Sequence, residues 1–154
     1  MKYEIDKKWL DDHALELKEL YFILKIDSQK YILQEKNWQD QMRKHMVMNE
    51  PSVNPPSFQI DTSQFTLDKV INDYDDQFTR VIQSLFLIGK ERKRSNENGH
   101  EIINSYLTDT EKEEIIKSLL GKRRNILCND IERGIRTCGF FDKMRGLLYE
   151  EVSR

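Results

Sequence analysis

Prolines are few and confined to one place: Pro51, Pro55 and Pro56 are the only three in 154 residues. Each removes a backbone donor and restricts the residue before it, so a long helix must end there and nowhere else is one forced to. Six glycines are too few for the tight turns of a sandwich or barrel. The two cysteines, Cys128 and Cys138, lie ten apart without a second pair, which excludes a disulfide framework and a four-cysteine zinc site. Packed, reduced thiols are the expectation. No run approaches the roughly 18 apolar residues of a membrane span, and Met1 to Asp6 lacks the apolar stretch of a secretory signal, so the chain is expected in the cytoplasm, away from membranes. A Gly-rich phosphate loop and a His-Glu-x-x-His pair are both missing, and His13, His45 and His100 sit in three separate segments. The expectation is therefore a protein that is not an enzyme and carries no cofactor, metal or catalytic residue.

What remains is helical patterning. Hydrophobic residues make up 38% and charged residues 34%, the balance of amphipathic helices in an all-α fold. With Leu10 at position a, a heptad continues through Leu17, Leu24, Tyr31, Trp38 and His45, while the series four residues further on reads Ala14, Tyr21, Ser28, Glu35 and Met42. This predicts one helix over about 6–48. A Pro-rich link follows at 49–60. Asp61-Thr62-Ser63 offers N-caps for a second helix over about 64–88, whose apolar positions Leu67, Val70, Ile71, Tyr74, Phe78, Val81, Ile82, Leu85 and Phe86 keep i, i+3, i+4 spacing. The two should fold back as a hairpin occupying residues 1–100, closed by a polar loop at 89–99. Asp73, Asp75 and Asp76 are acidic enough to suggest a metal, but Tyr74 and Phe78 take the inward side, which favours a solvated helix surface.

Residues 101–154 read as a second domain of three short helices. Thr108-Asp109-Thr110-Glu111 has the form of a capping box, with Gly121 as a left-handed end to the helix it opens. A second helix from about Asn125 is expected to stop at Gly134. The third runs from Arg136 to Val152 with Phe140, Met144, Leu147, Leu148 and Val152 inward. From Ile115 to Arg154 there are nine Lys or Arg against five acids, although the whole chain carries −2. A helix-turn-helix with this charge would lay its last helix in a major groove. The DNA-contact set on that reading is Lys122, Arg123 and Arg124 on the backbone, with Arg136, Thr137, Lys143 and Arg145 on the reading helix. Cations at a helix C-terminus are also favoured by the macrodipole, so Lys122 to Arg124 has a purely local explanation as well.

Leu107-Thr108-Asp109-Thr110-Glu111, Ile115-Ile116, the basic turn, Ile126-Leu127-Cys128-Asn129-Asp130-Ile131, Gly134-Ile135, Phe140 and Leu147-Leu148 together resemble sigma-factor region-4-type helix-turn-helix modules. With the helical first half and the Pro-Pro-Ser break, the chain is similar to the ArpU/RinA group of phage late-transcription activators, over about Leu107 to Val152. The resemblance implies a transcription regulator acting on double-stranded DNA, and on that reading the N-terminal hairpin supplies either a homodimer contact or a contact with RNA polymerase. The alternative is a helical protein-binding factor of the inhibitor, immunity or anti-defence kind that does not touch nucleic acid, with the hairpin and its acidic Asp73 to Asp76 surface occupying a partner.

Overall fold

The computed structural model describes residues 2–48, 57–92 and 98–139. Among them the fold is all-α: seven helices, two short 3-10 turns and no strand. In chain order the helices are α1 (Lys7–Asp12), α2 (Ala14–Met48), α3 (Thr66–Val70), α4 (Asp76–Glu91), α5 (Gly99–Tyr106), α6 (Lys112–Leu120) and α7 (Arg124–Thr137).

The first expected helix is two. Asp6 caps α1 by accepting from the Trp9 amide at 2.8 Å, and the chain leaves the helix at His13, whose ring stacks on Trp9 with centroids 3.9 Å apart. α2 then runs 35 residues, about 52 Å at 1.5 Å per residue. Its heptad buries Leu17, Leu24 and Tyr31, together with Ala14 before them and Ser28 between the last two. Beyond Tyr31 the seam opens, and the last four turns of α2 project from the core.

The second expected helix is interrupted, and a residue on α2 is the cause. Asp27 is wholly buried, and its two carboxylate oxygens accept from the Thr66 and Leu67 amides at 2.8 Å each. The free N–H groups that open α3 are thus satisfied from another helix. Asp61 caps only the 3-10 turn Thr62–Gln64. After a second 3-10 turn, Tyr74 is extended and Asp75 restarts the chain as α4, accepting from the Phe78 amide at 2.7 Å.

α4 and α7 form the centre. Val81, Ile82, Leu85 and Ile88 of α4 pack with Leu127, Ile131 and Ile135 of α7, and Leu17, Leu20 and Leu24 of α2 close the same cluster. Ile102 and Ile103 of α5 and Ile115 of α6 belong to it too, so the core is continuous across residue 100. α5 begins inside the expected loop, which is shorter than read: Gly89 to Glu91 finish α4, and Arg92 ends it in the left-handed region with φ 54.

Three local readings of the C-terminal part are corrected. Gly134 does not stop a helix: α7 continues through it to Thr137, because Gly134 is where the α4 backbone at Leu85 lies against it. Gly121 is right-handed, with φ −74. α6 is capped at Glu111 and not at Thr108, because the loop before it is gathered by Arg80, which donates to the carbonyls of Thr108 at 2.8 Å and Thr110 at 2.6 Å. The Thr108 hydroxyl donates to Gln83 at 3.1 Å.

Candidate functional site

Among the described residues, the DNA contacts expected from sequence are not brought together as one surface. No recognition helix starts at Arg136, since Arg136 and Thr137 are the last turn of α7. The Thr137 hydroxyl donates to the Arg133 carbonyl at 2.9 Å, and Arg136 is exposed with its guanidinium 3.6 Å from Glu132. Lys143 and Arg145, with the rest of the expected reading helix, lie outside the described residues. Arg123 is exposed just before α7, and the Lys122 ammonium sits 5.6 Å from the Phe86 ring centroid.

Arg124 is removed from the set, because it is 3% exposed and both of its terminal nitrogens are engaged, while its Nε is buried without a hydrogen-bond partner among the described residues. Its guanidinium spans both oxygens of Asp68 at 2.9 and 3.0 Å, donates to the carbonyls of Leu120 at 2.8 Å and Lys122 at 2.6 Å, and lies 5.0 Å from the Phe65 ring centroid. It is a clamp holding the start of α7 to α3 and Phe65.

α7 still turns a cationic side outward. Arg123, Ile126, Asn129, Arg133 and Arg136 recur at three- and four-residue spacing on one helical face. Two of the arginines are partly neutralised: Arg133 donates to Asp130 and to the Gly89 carbonyl, both at 3.0 Å. Glu132 gathers Arg136, Lys25 at 3.6 Å and the Tyr21 hydroxyl at 2.8 Å, tying α7 to α2. Burial, then the hydrogen bond to that carboxylate, holds the Tyr21 phenol above its ordinary value.

Neither thiol is poised for chemistry. Cys128 and Cys138 are free and buried, and burial pushes their pKa values up to about 11 and about 12. A nucleophilic cysteine needs the opposite shift. The native protein at pH 8 is expected to react with a thiol-specific chromogenic reagent at least tenfold more slowly than the unfolded chain, which should release two equivalents at once. Rapid labelling of either cysteine in the folded protein would contradict these environments. Among the described residues no three His, Cys, Asp or Glu side chains form a metal-binding group. Asp75 is a helix cap, and Asp76 lies 3.1 Å from Arg80.

α2 carries what sequence reasoning missed. Leu15, Phe22, Ile26 and Leu33 are all exposed, Leu33 at 58%, and their spacing of seven, four and seven residues places them on one face opposite to no described element. They form an apolar stripe about 27 Å long. Around the projecting turns, residues 57–61 lie along a second face: Phe58 meets Tyr31 and Trp38 with ring centroids 5.9 and 5.5 Å apart, and Gln34 accepts from the Asp61 amide at 2.9 Å while donating to its carbonyl at 3.1 Å. The signal for the stripe was present, because the heptad's c and f positions are apolar at these four places. It was masked by the stronger a series.

No family model, curated protein or solved structure matches the chain. No described helix is long and apolar enough to cross a membrane.

Proposed function

We propose that the chain is a helical protein-binding factor that engages a partner through α2. The observation that carries this reading is the exposed stripe Leu15, Phe22, Ile26 and Leu33. Single exposed apolar residues are ordinary, but four large ones aligned along five turns of one helix are a docking surface. Their arrangement suits an amphipathic partner helix laid alongside, with anchors at matching i, i+4 and i+7 positions. α2 is a sound platform for it, because the opposite seam is fixed in the core by Leu17, Leu24 and Tyr31.

A photo-crosslinking amino acid at Phe22 or Leu33, in the cells that make the protein, tests the reading. The expected result is one discrete adduct with another protein from both positions, absent from a control at exposed Glu113 on α6. Adducts only within the same chain, or equal labelling from the control, would overturn it.

The outward side of α7 favours a second reading, in which Arg123, Asn129, Arg133 and Arg136 contact DNA, in keeping with the resemblance to phage late-transcription activators. The reading helix would then be α7, preceded by α6 and a turn at Gly121, rather than a helix after Gly134. Mobility-shift assays at rising salt separate the two. Retention that weakens with salt and is lost in an Arg123→Ala, Arg136→Ala double variant supports the second.

A further inference from the structure

The projecting turns of α2 have a third face, distinct from the stripe and from the side covered by residues 57–61. Ile32, Glu35, Lys36, Gln39, Arg43 and Met46 fall within about a 100° arc of the helix. Leu33 points about 120° away from its centre, and Gln34, Trp38 and Gln41 point to the other side. Ile32 and Met46 are exposed, Met46 at 73%, and a shallow groove is lined by Ile32, Glu35, Lys36, Gln39, Arg43 and, at its edge, Asp40.

Apart from Lys36, whose two-fold mate would be Met42, the order of residues on this face is self-complementary. Ile32 and Met46 each lie seven residues from Gln39, one on either side, and Glu35 and Arg43 each lie four from it. We infer that this face pairs with the same face of a second copy, antiparallel, about a two-fold axis through Gln39. The inference rests on the reading of α2 as a binding element and names the occupant of one of its faces. In that pairing Ile32 of each copy meets Met46 of the other, Glu35 meets Arg43 twice, and the two Gln39 amides meet on the axis. Both apolar ends are covered, and two ion pairs form that a single chain does not make. Symmetric dimers reuse one patch in this way, with residue i against j and j against i. A parallel pair would place Glu35 against Glu35 and Arg43 against Arg43, so the charges choose the direction. A foreign partner would have to reproduce the mirror order of apolar, acidic, amide, basic and apolar positions; a second copy carries it already.

The surface is four helical turns per chain, smaller than a standard stable interface, so the dimer is expected in the micromolar range. Light scattering on the full chain should rise with concentration from 18.5 kDa toward twice that mass. Gln39→Cys should form a reducible dimer under mild oxidation, since it meets its own copy, while the buried native thiols stay unreactive. Glu35→Cys mixed with Arg43→Cys should crosslink to each other faster than either does to itself. Glu35→Arg should weaken association at least tenfold with circular dichroism unchanged, and adding Arg43→Glu should restore it.

A chain that stays monomeric at several hundred micromolar overturns the inference, as does a dimer indifferent to Glu35→Arg or one in which Glu35→Cys pairs best with itself. Monomeric behaviour together with a foreign adduct at Phe22 and Leu33 would remove the dimer and leave the protein-binding reading in place. Dimerisation as described with no such adduct would do the reverse.

Discussion

Gly134→Ala is expected to destabilise the protein by about 3 kcal/mol or more, lowering the melting temperature by roughly 6–12 °C for a domain of this size. A Cβ on Gly134 would fall inside the backbone carbonyl of Leu85, and one on Gly89 would fall inside that of Asp130. The contacts are reciprocal. Each helix places a glycine against a carbonyl lying one turn from the partner's glycine, so α4 and α7 touch backbone to backbone over two turns. A flexible side chain could yield to a methyl group, whereas a helical carbonyl can move only with its helix. Separating α4 from α7 would loosen Leu85, Leu127, Ile131 and Ile135 together, all of them fully buried. Each glycine costs a helix about 1 kcal/mol relative to alanine, so close approach must return more than that. Gly121→Ala is the control: its nearest neighbours are 3.4 and 3.5 Å away and its φ is −74, so the change should be neutral or slightly stabilising. Urea unfolding of both variants checks the pair, and a Gly134→Ala midpoint equal to that of the unaltered chain would mean the helices are not held at this distance.

The same glycine marks where the sequence could and could not be read. Heptad periodicity in the first half is a local signal, and it correctly identified Leu10, Leu17, Leu24 and Tyr31 as a buried seam. Gly134 sends the same local signal whether it ends a helix or admits a neighbouring backbone. Only the position of Leu85, far away in sequence, decides between them. Asp27 is similar. A single acidic residue in a helix reads as solvent-facing, and its use as a cap for α3 depends on a segment 39 and 40 residues further on. The Thr108 box had the right residue types, but Arg80 drew the carbonyls of Thr108 and Thr110 to itself and the helix began later. In the candidate site, charge was legible and engagement was not. Arg123 and Arg124 are adjacent and alike in sequence, yet one is exposed and the other buried against Asp68.

That difference yields the second large effect. Arg124→Ala is expected to cost about 3 kcal/mol, the scale for removing one partner of a buried ion pair. Asp68, itself only one-fifth exposed, would lose a two-pronged donor, and the carbonyls of Leu120 and Lys122 would lose theirs. Arg124→Lys should recover little. An ammonium can reach one acceptor group, whereas the planar guanidinium serves the carboxylate and two carbonyls at once while lying over Phe65. Asp68→Ala should be nearly as costly, and the double variant should lose clearly less than the two single losses added, by 1 kcal/mol or more, because the pair acts as a unit. Chemical denaturation of the four chains measures that coupling. The outcome also bears on the two functional readings. If Arg124 gripped phosphate, its removal would weaken DNA retention while leaving stability intact, and the loss would not depend on Asp68. A stability loss coupled to Asp68 places this arginine in the scaffold, and leaves any nucleic-acid contact by this helix to Arg123, Asn129, Arg133 and Arg136.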